Sequence, residues 1–144
     1  MTERSGPILV NDATFEAEVI HSRLPVVVDF FADWSVPSRA TEPVLRELSQ
    51  RLAGRVKFAK VNVDESSAVA RSYGIHSIPT ILFVHGGQEK GREVGPVDAI
   101  ALGSIVKRHF AVETSRRGGR SPVPGAGRRW PRAGSPGGDA SEDR

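Results

Sequence analysis

The segment PVVVDFFA, Pro25 to Ala32, is an almost unbroken apolar run rich in valine and phenylalanine. A strand of this composition is buried on both faces, so helices must cover the sheet from either side. One residue interrupts the pattern. The carboxylate of Asp29 sits in the middle of the run, where ionisation is expensive and a raised pKa is expected.

Around this strand the chain alternates short β-like runs with helix-period segments up to about Phe110, which predicts an α/β architecture. PILV (Pro7–Val10) is a first strand, and Asn11 or Asp12 can cap a helix with Phe15, Val19 and Ile20 on one face. A helix is expected from about Ser35 to Leu52, with Val44, Leu45, Leu48 and Leu52 as its core stripe. Pro37 fits its first turn, whereas Pro43 lies inside it and is expected to kink it. RVKFAKVNVD alternates as a strand; SSAVARSYGI is a short helix capped by Ser66 or Ser67 and stopped by Gly74. PTILFVHGGQEKGREVG predicts a hairpin turning at Gly86-Gly87 with a more polar edge strand, and Val97 to Phe110 a closing helix. Leu102, Ile105, Val106 and Phe110 share one side of that helix. From about Thr114 the composition turns to Arg, Gly, Pro and Ser with almost no aliphatic residues. Such a segment buries too little apolar surface to offset its ordering entropy. The expected organisation is a domain over residues 1–112 and a disordered Arg/Gly/Pro-rich tail over 113–144, read as a solvated segment of no specific role, with Trp130 its one sticky point and weak contact with an anionic surface as the alternative.

Charge and composition exclude several function classes. The net charge of +3 comes from the tail, where residues 114–144 hold seven Arg against Asp139, Glu142 and Asp143. The first 113 residues carry 13 basic and 14 acidic side chains, so no nucleic-acid face is expected on the folded part. No secretory signal is evident at the start, and no apolar stretch approaches the ~20 residues of a membrane span. A cytoplasmic location is the expectation. Cysteine is absent from all 144 residues, which excludes disulfides, thiolate metal sites and thiol catalysis. Nothing in the sequence points to a metal or an organic cofactor.

Four motifs in sequence order carry a resemblance. VVVDFFADWSVPSR is similar to the strand and Trp-Cys-Gly-Pro-Cys-Lys site of thioredoxins, and KFAKVNVDE to their next strand. YGIHSIPTILFV is similar to their cis-proline segment, and REVGP to the glycine turn before the last helix. Over residues 7 to 110 the chain thus resembles the thioredoxin family, which implies a thioredoxin fold: a central mixed β-sheet flanked by helices. The family's activity is protein disulfide reduction in redox homeostasis. It implies thioredoxin reductase and client proteins bound as extended peptides as partners, and a monomer.

The resemblance puts Ser35 and Ser38 at the two cysteine positions. A thiolate at a helix N-terminus is stabilised by unpaired N–H groups and the helix dipole, and the second thiol resolves the mixed disulfide. An alcohol is far less acidic and forms no sulfur–sulfur bond, so this chain is expected to be redox-inactive. A serine nucleophile would need an oriented base, and of His21, His76, His85 and His109 only His76 lies near the proline segment; an N-cap role for Ser35 or Ser38 fits better. In the family the residue matching Asp29 moves protons for the second cysteine, with the lysine matching Lys60 beside it; without a thiol both read as a retained buried polar pair. For an arbitrary X–Pro bond the cis form is only ~5–6%, but the resemblance implies cis at Pro79. Trp34, Pro37, Ile78, Pro79, Val94 and Gly95 would then form a shallow apolar surface for a peptide strand.

Val36 stands where the family has glycine, Arg39 where it has lysine, and ATE before Pro43 is more polar than the family's run. Three readings are compatible with these residues. One is a disulfide reductase whose two sulfurs have been exchanged for oxygen; another is a cysteine-free relative that uses the cis-proline groove as a binding or chaperone-like module; the third is an inert copy.

Overall fold

A computed structural model describes residues 6–111, so the segment expected to form the tail lies outside the described residues. Five strands form one sheet: β1 (Ile8–Val10), β2 (Val26–Phe31), β3 (Lys57–Asn62), β4 (Thr80–His85) and β5 (Gln88–Val94). Their spatial order is β1-β3-β2-β4-β5. β1 and β2 run parallel to β3, while β2–β4 and β4–β5 are antiparallel, so the sheet is mixed as expected. β2 is the central strand, and its first five residues are buried.

The alternation of β2 divides the core between two layers. Val26, Val28 and Phe30 pack with Phe15, Val19, Val69 and Leu82 on one face. On the other, Val27 joins Leu45 and Leu48 of helix α1 (Val36–Arg51), its C-cap Leu52, and Leu102, Ile105 and Val106 of helix α3 (Ala99–Phe110). The predicted stripe of α1 is therefore the buried one, with Val44 partly covered. α1 continues through Pro43, which faces solvent.

The helical segments depart from the sequence reading in the type of the first and in the cap of the second. Asn11 does hold the first turn, its Oδ1 accepting from Ala13 N at 2.9 Å and Thr14 N at 3.0 Å. The segment it opens, however, is a π-helical turn over Glu16–Ile20 rather than an α-helix. Helix α2 (Ser67–Ser72) begins at Ser66, whose hydroxyl makes no capping bond. Asp12, 57 residues before Val69, does this instead, accepting from Val69 N at 2.9 Å and Ala68 N at 3.3 Å. α3 starts at Asp98, whose Oδ1 accepts from Ala101 N at 2.8 Å. A cap supplied across the fold leaves no local spacing to read. The Gly86-Gly87 turn is as expected, both residues having positive φ (63° and 79°), a geometry that matches a two-residue hairpin.

Because α2 borrows its cap, Asp12→Ala should destabilise the domain by about 1 kcal/mol, and Asp12→Asn by less. Urea unfolding of the two variants checks this; equal stabilities for Asp12→Ala and the parent would contradict the assignment.

Candidate functional site

The strand register brings the candidate residues to one end of the sheet. Phe30 pairs with Thr80, and Thr80 with Val94, so the exit of β2, the entry of β4 and the end of β5 are neighbours. Trp34 and Ser35 follow the exit of β2, Ile78 and Pro79 precede β4, and Gly95 follows β5. The Ile78–Pro79 peptide bond is cis. Gly95, at φ 99°, donates its N–H to the Pro79 carbonyl at 2.8 Å. Pro79 itself is buried, unlike the exposed Pro37 and Val94, so it contributes backbone rather than a contact face. The described residues form no hydrogen bond with the Ile78 backbone.

Trp34 is 67% exposed, yet not free to swing. Its Nε1 donates to Asp64 Oδ2 at 2.8 Å, which holds the indole over the loop after β3. Sequence reading missed Asp64; a lone Asp in a loop 30 residues away carries no signal of this bond.

Ser35 and Ser38 occupy the first turn of α1, and the structure separates their roles. Ser35 is the N-cap: its backbone is extended (φ −92°, ψ 117°) and its Oγ accepts from Ser38 N at 3.2 Å. Ser38 is 3% exposed, and its Oγ is a buried polar atom with no partner among the described residues. Histidines do not activate either hydroxyl: His76 is exposed, His21 bonds Glu16 at 3.3 Å, and His85 and His109 pack against Phe110 and Phe83. The described residues offer no Ser-His pair.

Asp29 faces the α1 side of the sheet, since it alternates with Val28 and Phe30. It is 1% exposed, and its Oδ1 has no partner among the described residues. Burial pushes its pKa from 3.8 to about 7, Lys60 acting to lower it and Glu42 to raise it. Lys60 lies directly across the β2–β3 ladder from Asp29, but the expected buried pair is not a hydrogen-bonded one. The Lys60 ammonium instead donates to Glu42 Oε2 at 3.1 Å and lies 4.7 Å from the centre of the Phe31 ring. Glu42 also takes Arg46 at 3.3 Å. The polar residue of ATE therefore draws the lysine away from the buried acid.

Comparison with known proteins agrees with this geometry. The thioredoxin family profile matches residues 6–108. The chain is 44% identical over 106 residues to thioredoxin 1 of a Nostoc species, an alignment covering 74% of this chain and 99% of that one. It is equally similar, over 101 residues, to the thioredoxin of Synechocystis (70% and 94% covered), and 42% identical over 102 residues to the M-type chloroplast thioredoxin of Pisum sativum (71% and 59%). This chain belongs to the thioredoxin family. As a family member it departs at the two positions that matter for sulfur chemistry, where Ser35 and Ser38 stand. Among the described residues no cluster of three or more His, Asp and Glu is placed to hold a metal, and no helix is long and apolar enough to cross a membrane.

The two serines should respond oppositely to truncation. Ser35→Ala removes a cap and should cost about 1 kcal/mol; Ser38→Ala removes an unsatisfied buried hydroxyl and should be neutral or stabilising by about 1 kcal/mol. Chemical denaturation measures both, and a larger loss at Ser38 would show that its Oγ has a partner.

For Asp29 the sign comes from linkage. Its native pKa is raised, so the native state holds the proton when the unfolded chain has already released it. The stability it contributes is full below about pH 4 and is lost progressively up to about pH 7, by as much as ~4 kcal/mol. Asp29→Asn should therefore gain on the parent progressively across that window and keep that gain, now constant, above it. Glu42→Gln should lower the Asp29 midpoint and Lys60→Met should raise it, read from the carboxyl carbon resonance.

Proposed function

We propose that this chain is a thioredoxin-family protein that performs no dithiol–disulfide exchange and retains the surface on which the family's clients lie as extended peptides. The absence of sulfur at Ser35 and Ser38 carries this reading. The mechanism of the family needs a thiolate to attack and a second thiol to resolve, and an N-capping hydroxyl with a buried neighbour supplies neither. Asp29 and Lys60, proton-handling residues in that mechanism, have no thiol to serve.

The binding half of the machinery is supported by separate features. Trp34, braced by Asp64, offers a rigid aromatic face; Val36 and Val94 are exposed beside it. The Ile78 backbone at the entry to β4, which forms no hydrogen bond with the described residues, supports pairing with a peptide strand, the β-augmentation mode in which main-chain hydrogen bonds give affinity and flanking side chains give selectivity. Client proteins in extended form are the partners this reading implies, with thioredoxin reductase able to dock but without a disulfide to reduce. A monomer in the cytoplasm belongs to the same reading.

The test compares this chain with Ser35→Cys/Ser38→Cys in the reduction of a protein disulfide, with dithiothreitol or thioredoxin reductase as electron source. An active double variant beside a silent parent is the expected result. Turnover by the parent would overturn the reading, and silence of a folded double variant would mean that the site has diverged beyond two atoms. In a Trp130→Phe variant, where Trp34 is the one tryptophan left, fluorescence titrated with a tryptophan-free unfolded client reports the binding half independently.

A further inference from the structure

The far end of the sheet from Trp34 holds a second ionisable group with a packing problem. His109, in the last turn of α3, stacks on Phe83 of β4 with ring centres 4.9 Å apart and planes 26° from parallel. Above it passes β5, and Gly91 is the residue that allows this: a Cβ there would lie 2.6 Å from His109 Nε2, inside van der Waals contact. The strand is irregular at this point. Phe83 pairs with Gly91 but Val84 with Glu89, which makes Lys90 the extra residue of a bulge. The imidazole is thus held between a core phenylalanine and a bare stretch of backbone, with its Nδ1 buried and without a partner among the described residues.

We propose that His109 is an acid-released latch: while its imidazole is neutral it pins the last turn of α3 beneath the β4–β5 hairpin, and protonation frees that turn.

A protonated ring would place a donor and a charge at the unpartnered Nδ1. Burying such a charge is strongly unfavourable, and a cation over the Phe83 face recovers only part of that penalty. The surrounding charges do not reverse this. Lys107 and Arg108 flank it on α3, Lys90 sits at the bulge of β5, and His85 lies two residues along β4 on the same face, packed on Phe110. From α1 and its C-cap the shared cluster receives the aliphatic Leu45, Leu48 and Leu52. Glu93 is on the Gly91 face of β5, two residues and so about 7 Å along the strand from Gly91. Burial first, then Arg108, hold the His109 pKa below its ordinary 6.5. A group with a lowered basic pKa contributes stability that is whole above the ordinary value and is lost as pH falls toward the native one. This slope opposes that of Asp29, so the melting temperature of the whole domain blurs the two and a local measurement is required.

The experiment is hydrogen exchange on the full chain, following the amides of residues 107–111 after correction for intrinsic rates, with the His109 ring resonances titrated in parallel. Between about pH 7.5 and about pH 5, exchange of that turn should accelerate by about tenfold or more, with a midpoint matching the ring and below the ordinary histidine value. His109→Phe keeps an aromatic plane without the titration and should remove the acceleration. Gly91→Ala should displace the ring and open the turn already at neutral pH. A pH-independent turn in the parent, or the same acceleration in His109→Phe, would overturn the latch.

Discussion

Burial of β2 on both faces governs the rest of the architecture. A strand without a solvent side needs a partner on each edge and a layer on each face, and β3 and β4 supply the first while α1, α3 and the segments around Phe15 and Val69 supply the second. The chain can leave such a strand only at its end. There, β2 runs into Ala32 to Trp34 and then into α1, so the first turn of α1 comes to stand at the sheet's C-terminal rim. The cis-proline entry to β4 and the turn at Gly95 arrive at the same rim because antiparallel pairing returns them there. The candidate site is a consequence of how the central strand is enclosed.

That enclosure also explains why two serines three residues apart behave so differently. The first residue of a helix-capping turn keeps its side chain on the N–H groups it satisfies, and Ser35 does so. A residue three further on points into the layer between helix and sheet, where Ser38 is buried and finds no acceptor among the described residues. A cysteine is content in such a place, being a small apolar group with weak hydrogen-bonding demands. Serine keeps the volume and loses that compatibility, so the site carries the shape of thiol chemistry together with an unsatisfied hydroxyl. Asp29 receives no hydrogen bond from Lys60 for a related reason: Glu42 offers Lys60 a direct ion pair at the edge of the layer, where the charges are partly hydrated, and the fully buried acid is left to accommodate its proton.

Much of this was legible in the residues. The apolar run of β2, the stripe of α1, the Gly-Gly hairpin and the stop at Gly74 are all local patterns, and each element stands within a few residues of its expected place. Motif order also named positions that lie at one rim of the sheet: Trp34, Ser35, Ser38, Ile78, Pro79 and Gly95. Every interaction whose partner lies far along the chain escaped. Asp12 capping α2, Asp64 bracing Trp34, Glu42 capturing Lys60 and Gly91 admitting His109 join residues 18 to 57 positions apart. Periodicity and capping rules are statements about neighbours in sequence, and none of them reaches across such distances.

The layer architecture, the position of the helix N-terminus at the end of the central strand and the absence of thiol chemistry were all set by the order of residues, because hydrophobic periodicity and side-chain chemistry are properties of the chain alone. Folding in three dimensions was needed to select which of two serines caps the helix, which acid holds the lysine, that Pro79 is buried rather than presented, and that the inner nitrogen of His109 meets no partner among the described residues. Those outcomes depend on which polar atoms meet once the apolar faces have closed, and burial strengthens or strands each of them according to small differences in distance that no local pattern encodes.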